Sequence, residues 1–124
     1  MKKAIVIMAM LPLLAACGGG QDSEWKAQNR ASLNAAVFPD PADRQGIFLV
    51  FPLESGGVNR IAMTTWFSSE VSRAEVANRI LAFCKREDPS FTRLGVRRDS
   101  GPGTRTLYTG ETKATYSVTY ECLT

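Results

Sequence analysis

The chain contains no histidine, only three cysteines, and no marked excess of either charge: 15 lysines and arginines stand against 12 acidic residues in 124. Without histidine there is no common general base, no commonest metal ligand, and no Ser-His or Cys-His dyad. Cysteines alone in this number do not compose the usual structural zinc site, and no metal and no cofactor is expected. The glycines do not fall into a phosphate-binding loop, because neither GxxxxGK[ST] nor a strand–GxGxxG–helix arrangement occurs. Long apolar runs are missing too. The longest, Ala4 to Leu14 with Pro12 inside it, falls short of the roughly 20 residues that cross a bilayer core.

What is present begins with that run. Lys2 and Lys3 precede it, and Leu14-Ala15-Ala16-Cys17 closes it. A basic start, a short apolar stretch and small residues before a cut are the layout of a secretory signal. An ordinary signal wants a small residue third from the cut, where Leu14 stands. Leu followed by two small residues and Cys resembles instead the lipobox of bacterial lipoproteins. The resemblance covers residues 1–17. It implies removal of residues 1–16, a diacylglyceryl thioether on Cys17 and acylation of its amine. Several acyl chains at about 0.8 kcal/mol per buried methylene make such an anchor effectively permanent. In lipoproteins of enteric type an Asp after the cysteine favours retention in the inner membrane. Gly18 stands there in this chain, so the resemblance implies the outer membrane, facing the periplasm.

Cleavage also changes the charge of the remaining chain. Loss of Lys2 and Lys3 lowers the formal charge from +3 to about +1, so net charge gives no support to a nucleic-acid partner. With Cys17 given to lipid, Cys84 and Cys122 remain as a pair in an oxidising compartment.

Residues 17–27 read as the lipidated cysteine and a flexible, glycine-rich tether, and residues 28–124 as a single globular domain. A weak helix is expected over residues 28–37, ended by Pro39 and Pro41. The apolar run Gly46–Phe51 reads as a strand buried on both faces or central in a sheet. After a turn at 54–59, Arg60–Phe67 is a second strand, with Ile61, Met63, Thr65 and Phe67 on one side and Ala62, Thr64 and Trp66 on the other. Ser72-Arg73-Ala74-Glu75 is a capping box. The helix it opens runs to Lys85 or Arg86, with Val76, Ala77, Ile80, Leu81 and Cys84 as its apolar stripe. Phe91–Arg98 and Thr104–Thr109 read as third and fourth strands around an Asp99–Gly103 turn. Ala114–Cys122 is the fifth, with strict apolar–polar alternation. The expected fold is α+β: about five mainly antiparallel strands in the order β-β-α-β-β-β, one main helix on one face of the sheet, the other face wet.

If that helix packs on the sheet, Cys84 and Cys122 face one interface, and a disulfide between them is expected. Two buried free thiols are the alternative; a reactive redox pair lacks CxxC spacing. Arg93, Arg97, Arg98 and Arg105 surround the glycine turn, where they form either a patch for an acidic partner or a solvated face. Trp66, Phe67 and Tyr108 could line a partner groove, or belong to core and half-buried surface. No spacing of carboxylates marks an acid/base pair, so no catalytic residue is assigned. Three readings follow, in order: a non-enzymatic envelope lipoprotein acting as a small periplasmic binding or assembly module that meets another envelope protein; a periplasm-facing inhibitor or protective protein; and a cell-wall-acting hydrolase.

Overall fold

A computed structural model describes residues 21–124. The expected signal segment 1–16, Cys17 and the glycines at 18–20 lie outside the described residues. Seven elements follow in order: α1 (Glu24–Val37), α2 (Pro41–Arg44), β1 (Ile47–Ser55), β2 (Val58–Phe67), α3 (Arg73–Glu87), β3 (Arg93–Thr106) and β4 (Thr112–Leu123). The four strands form one antiparallel sheet in the spatial order β1-β2-β4-β3. The class is α+β, as expected, with four strands in place of five.

The strand count falls because the expected third and fourth strands are one continuous edge strand, β3. Its ladder with β4 slips between Val96 and Arg98 and again between Asp99 and Gly101. Bulges of this kind absorb extra residues without ending a strand. Gly101 takes φ +79°, and the Asp99 carboxylate accepts from the Gly101 amide at 3.0 Å. The residues that look like a turn therefore make a local turn inside a strand. Pro102 is tolerated because β3 has a free side on which no ladder donor is needed.

Helix α1 begins at Glu24 rather than near residue 28, because the Ser23 hydroxyl caps it by accepting from the Lys26 amide. Its position is set by Asn34, which is buried at 7 % exposure. The Asn34 side-chain carbonyl accepts from the Val50 amide at 2.8 Å, and its NH2 donates to the Phe48 carbonyl at 3.3 Å. One side-chain amide thus covers part of the outer edge of β1, which would otherwise present unpaired backbone groups.

Helix α3 is capped as read: the Ser72 hydroxyl accepts from the Glu75 amide at 3.2 Å. The Glu75 carboxylate lies 3.5 Å from Arg79 instead of completing the reciprocal bond. Its buried stripe is Val76, Ile80, Phe83 and Cys84, so Phe83 takes the place expected for Leu81. Two arginines on α3 fasten it to the N-terminal part. Arg79 donates to the carbonyls of Asp43 and Gln45, and Arg86 to that of Val37, the last residue of α1. These are the carbonyls that a helix end or loop leaves without partners.

The core lies between α3 and the sheet face built from Val50, Ala62, Trp66, Val118, Tyr120 and Cys122, closed by Val37, Phe38 and Phe91. The Cys84–Cys122 disulfide crosses it, with Cα atoms 5.6 Å apart and both residues fully buried. The alternation of β4 holds over Val118–Cys122 and fails at its start, where Ala114 is exposed and Thr115 is buried. Thr115 pairs with Phe67 in the ladder, and it is the side of Phe67 that is covered at this end.

Candidate functional site

The second sheet face is divided. At the end where β2 finishes and β4 begins it is covered by cations over an aromatic pair. Phe48 and Phe67 meet edge to face with centroids 5.8 Å apart. Arg30 lies 4.2 Å and Arg105 5.3 Å from the Phe48 ring centre, and Lys113 lies 4.8 Å from that of Phe67. Lys113 is also held by Glu70 at 2.8 Å, and its ammonium is favoured first by that hydrogen bond. Beside this cover a shallow groove of about 220 Å3 is lined by Ala27, Arg30, Ala31, Phe48, Phe67 and Leu107. It is smaller than the 300–1,000 Å3 usual for small-molecule sites.

Toward the β1–β2 hairpin the same face is open and apolar. Phe51 is directly opposite Met63, and Leu53 opposite Ile61. Phe51 is 40 %, Leu53 37 % and Met63 48 % exposed. The run Gly46–Phe51, expected to be buried on both faces or central in the sheet, is neither: it lies in an edge strand, where Val50 is fully enclosed and its neighbour Phe51 is not. The cause is the spatial order, which leaves β1 at a sheet edge and puts α3 on the opposite face. The three side chains are neighbours on adjacent strands, so they expose apolar surface together rather than singly.

A third constellation sits at the N-terminus of α3. Asp99 accepts from the Tyr116 hydroxyl at 2.9 Å and from Arg73 at 2.9 Å, while Arg73 lies 5.4 Å from the Tyr116 ring centre. The Tyr116 hydrogen bond, then Arg73, holds the Asp99 carboxyl below the ordinary carboxylate range. The same bond from the other side pushes the Tyr116 phenol up, which is the wrong direction for a nucleophile or base at neutral pH. Tyr120 close by is raised by burial, and its hydroxyl has no hydrogen-bond partner among the described residues. The cluster ties β3 and β4 to α3. Its sequence signal was only the turn propensity of Asp99.

The residues singled out in the sequence are spread apart. Arg93 donates twice to the Thr124 carbonyl at one end of β3. Arg97 faces Glu121 at 3.4 Å, Arg98 is exposed opposite Thr119, and Arg105 covers Phe48. Measured along the partner strand, whose paired residues Leu123 and Lys113 are ten apart, Arg93 and Arg105 stand roughly 33 Å apart, so the four guanidiniums do not converge on one anion. Trp66 is 2 % exposed and packs on Tyr116 with centroids 5.3 Å apart, as a core residue. Tyr108 is 52 % exposed in the turn between β3 and β4. Sequence reasoning did not single out Phe51 and Met63 as surface, and passed over Asn34. The alternation of β2, which set Met63 apart from Ala62 and Trp66, was the available signal for the first pair. The chain matches no protein-family model, no curated protein and no solved structure.

Proposed function

We propose that this chain is a lipid-anchored envelope lipoprotein whose folded part acts, without catalysis, as a small binding or assembly module. The anchor is lipid on Cys17, implied by the lipobox-like Leu14-Ala15-Ala16-Cys17. The expected place is the outer membrane, facing the periplasm. The partner is another envelope protein, met through the open sheet face. One observation carries the module reading: Phe51, Leu53 and Met63 form an exposed apolar surface on adjacent strands, next to a face whose other aromatic residues are covered. Among the described residues, the opposite face is buried and crossed by the disulfide, and the groove beside Phe48 is smaller than the usual small-molecule site.

The test is a photo-reactive residue at position 63, activated in intact envelopes, with Asn78 on the exposed side of α3 as the control position. A discrete adduct with one envelope protein at position 63, absent at position 78, is expected. Equal labelling from both positions would sink the assignment of the face. The anchor is tested separately by the intact mass of the membrane-extracted protein, which should show acyl groups on a chain beginning at Cys17.

A further inference from the structure

We infer that the end of the domain bearing Trp25 and Tyr108 rests in the headgroup region of the bilayer, so that the anchor fixes an orientation as well as a location. The inference rests on lipid attachment at Cys17. Asp22 is the point where the chain is fastened to the fold. Its carboxylate takes two hydrogen bonds from Arg30, at 2.5 and 3.0 Å, and one from the Tyr108 amide at 2.9 Å. The pair is well covered, with side-chain exposures of 16 % for Arg30 and 7 % for Asp22. The chain from Cys17 to Asp22 is only about five residues long, which reaches at most about 17 Å even when fully extended. A domain of this length has a radius of gyration of about 13 Å and is roughly 34 Å across. The Asp22 end cannot turn to the far side, because the tether is only about half as long as the body it would have to round.

What that end displays fits the location. Trp25, in the first turn of α1, is 68 % exposed, and Tyr108, whose amide holds Asp22, is 52 % exposed. Both exceed every other exposed aromatic side chain among the described residues. Trp and Tyr are the residues that favour the membrane interface, because an apolar ring and one polar group suit the headgroup level. A permanent acyl anchor keeps them there at high local concentration, where neither ring alone would bind.

The sequence contains two tryptophans, and Trp66 is buried in the core, so Trp25 is the one that can report on its surroundings. The lipidated full chain is placed in vesicles of phosphatidylethanolamine and phosphatidylglycerol, with acyl groups verified by intact mass. Trp25 emission should shift to the blue and be lost to lipids brominated near the headgroup. It should also lose most of its quenching by aqueous acrylamide; Trp25→Phe supplies the Trp66 background. A long Gly-Ser spacer inserted between Gly20 and Gln21 should restore acrylamide quenching. Emission as accessible to acrylamide on vesicles as in the unlipidated chain, with acylation verified, overturns the orientation while leaving the anchor intact. Protection that survives the spacer overturns the tether argument. An unacylated chain overturns both the inference and the anchor beneath it.

Discussion

Asn34 shows how one polar side chain can decide where a helix sits. Helix α1 has little apolar surface to bury, since Asn34 and Val37 are its buried residues. Its docking depends on the two bonds that Asn34 makes to the backbone of Phe48 and Val50. Asn34→Leu keeps the volume but leaves an amide and a carbonyl unsatisfied beside an apolar group. Each such loss costs about 1–3 kcal/mol, and the substitution should lower the urea midpoint by the equivalent of about 2–4 kcal/mol without changing the helix content of what remains folded. A change below about 0.5 kcal/mol, the scale of an ordinary surface substitution, would remove Asn34 from this role. Gly46 is the second residue with no substitute. It holds φ +77°, its carbonyl accepts from the Phe67 amide at 2.7 Å, and a Cβ there would stand 2.8 Å from the Val71 side chain. Gly46→Ala combines left-handed backbone strain with a clash and should destabilise by about 2–3 kcal/mol in the same titration.

At the scale of elements, the disulfide joins α3 and β4, the two that each contribute more buried core residues than any other element. The bridge closes a separation of 38 residues, for which the chain-entropy relation gives about 4 kcal/mol, although the origin of the effect is model-dependent. Replacing both cysteines by alanine should remove a stabilisation of that order, seen as a lower thermal midpoint. Because Cys84 and Cys122 are fully buried, the native bridge should react with dithiothreitol only as fast as the domain opens; rapid reduction at native conditions would contradict the packing. This pair was legible in the sequence because a helical stripe and a strand alternation each put one sulfur on an apolar face. So were α3 and the β1–β2 hairpin, whose cap and side-chain periods are local. The joining of the third and fourth strands was not legible. Asp99, Ser100, Gly101, Pro102 and Gly103 favour a turn, and only the long partner strand β4 shows that the turn is absorbed as bulges. Arg79 and Arg86 lie off the apolar stripe of α3, yet they bind carbonyls over thirty residues away in sequence, which no local pattern encodes.

The fastening of α1's leading end also depends on pH in a definite direction. The Arg30 hydrogen bond is the foremost reason that the Asp22 carboxyl lies below its ordinary value, with burial opposing it. Asp99 is lowered in the same sense, by Tyr116 first. A carboxyl depressed in the folded state stabilises fully above its unfolded value near pH ~4, and that contribution is lost as pH falls through the folded value. The protection factor of the Tyr108 amide, its exchange relative to the unstructured rate at the same pH, should accordingly fall below about pH 4, ahead of global unfolding. Asp22→Asn should show quick exchange already at neutral pH; exchange that tracks global unfolding in both proteins would show that Asp22 fastens nothing.

On the whole-molecule scale the two ends of the sheet have different tasks in the proposed arrangement. The end with Phe67, Thr115 and Tyr108 holds the tether, and the apolar surface of Phe51, Leu53 and Met63 extends from it toward the β1–β2 hairpin. Along β2, Ile61 lies about 20 Å from Phe67, beyond the depth of a headgroup layer of about 6 Å. With the Trp25 end on the membrane, that surface projects into the periplasm, where a protein partner can reach it. Met63→Lys tests this arrangement without testing the fold. Met63 is half exposed and outside the core, so stability should stay within about 0.5 kcal/mol. A buried unpaired ammonium in the complex would cost several kcal/mol, enough to abolish the adduct formed from a photo-reactive residue at Phe51. The measurement is the yield of that adduct in envelopes carrying the Met63→Lys protein against the parent, at equal amounts of folded, acylated protein. Undiminished yield would mean that Met63 stays in water when the module is engaged, and that the open sheet face is not where the partner sits.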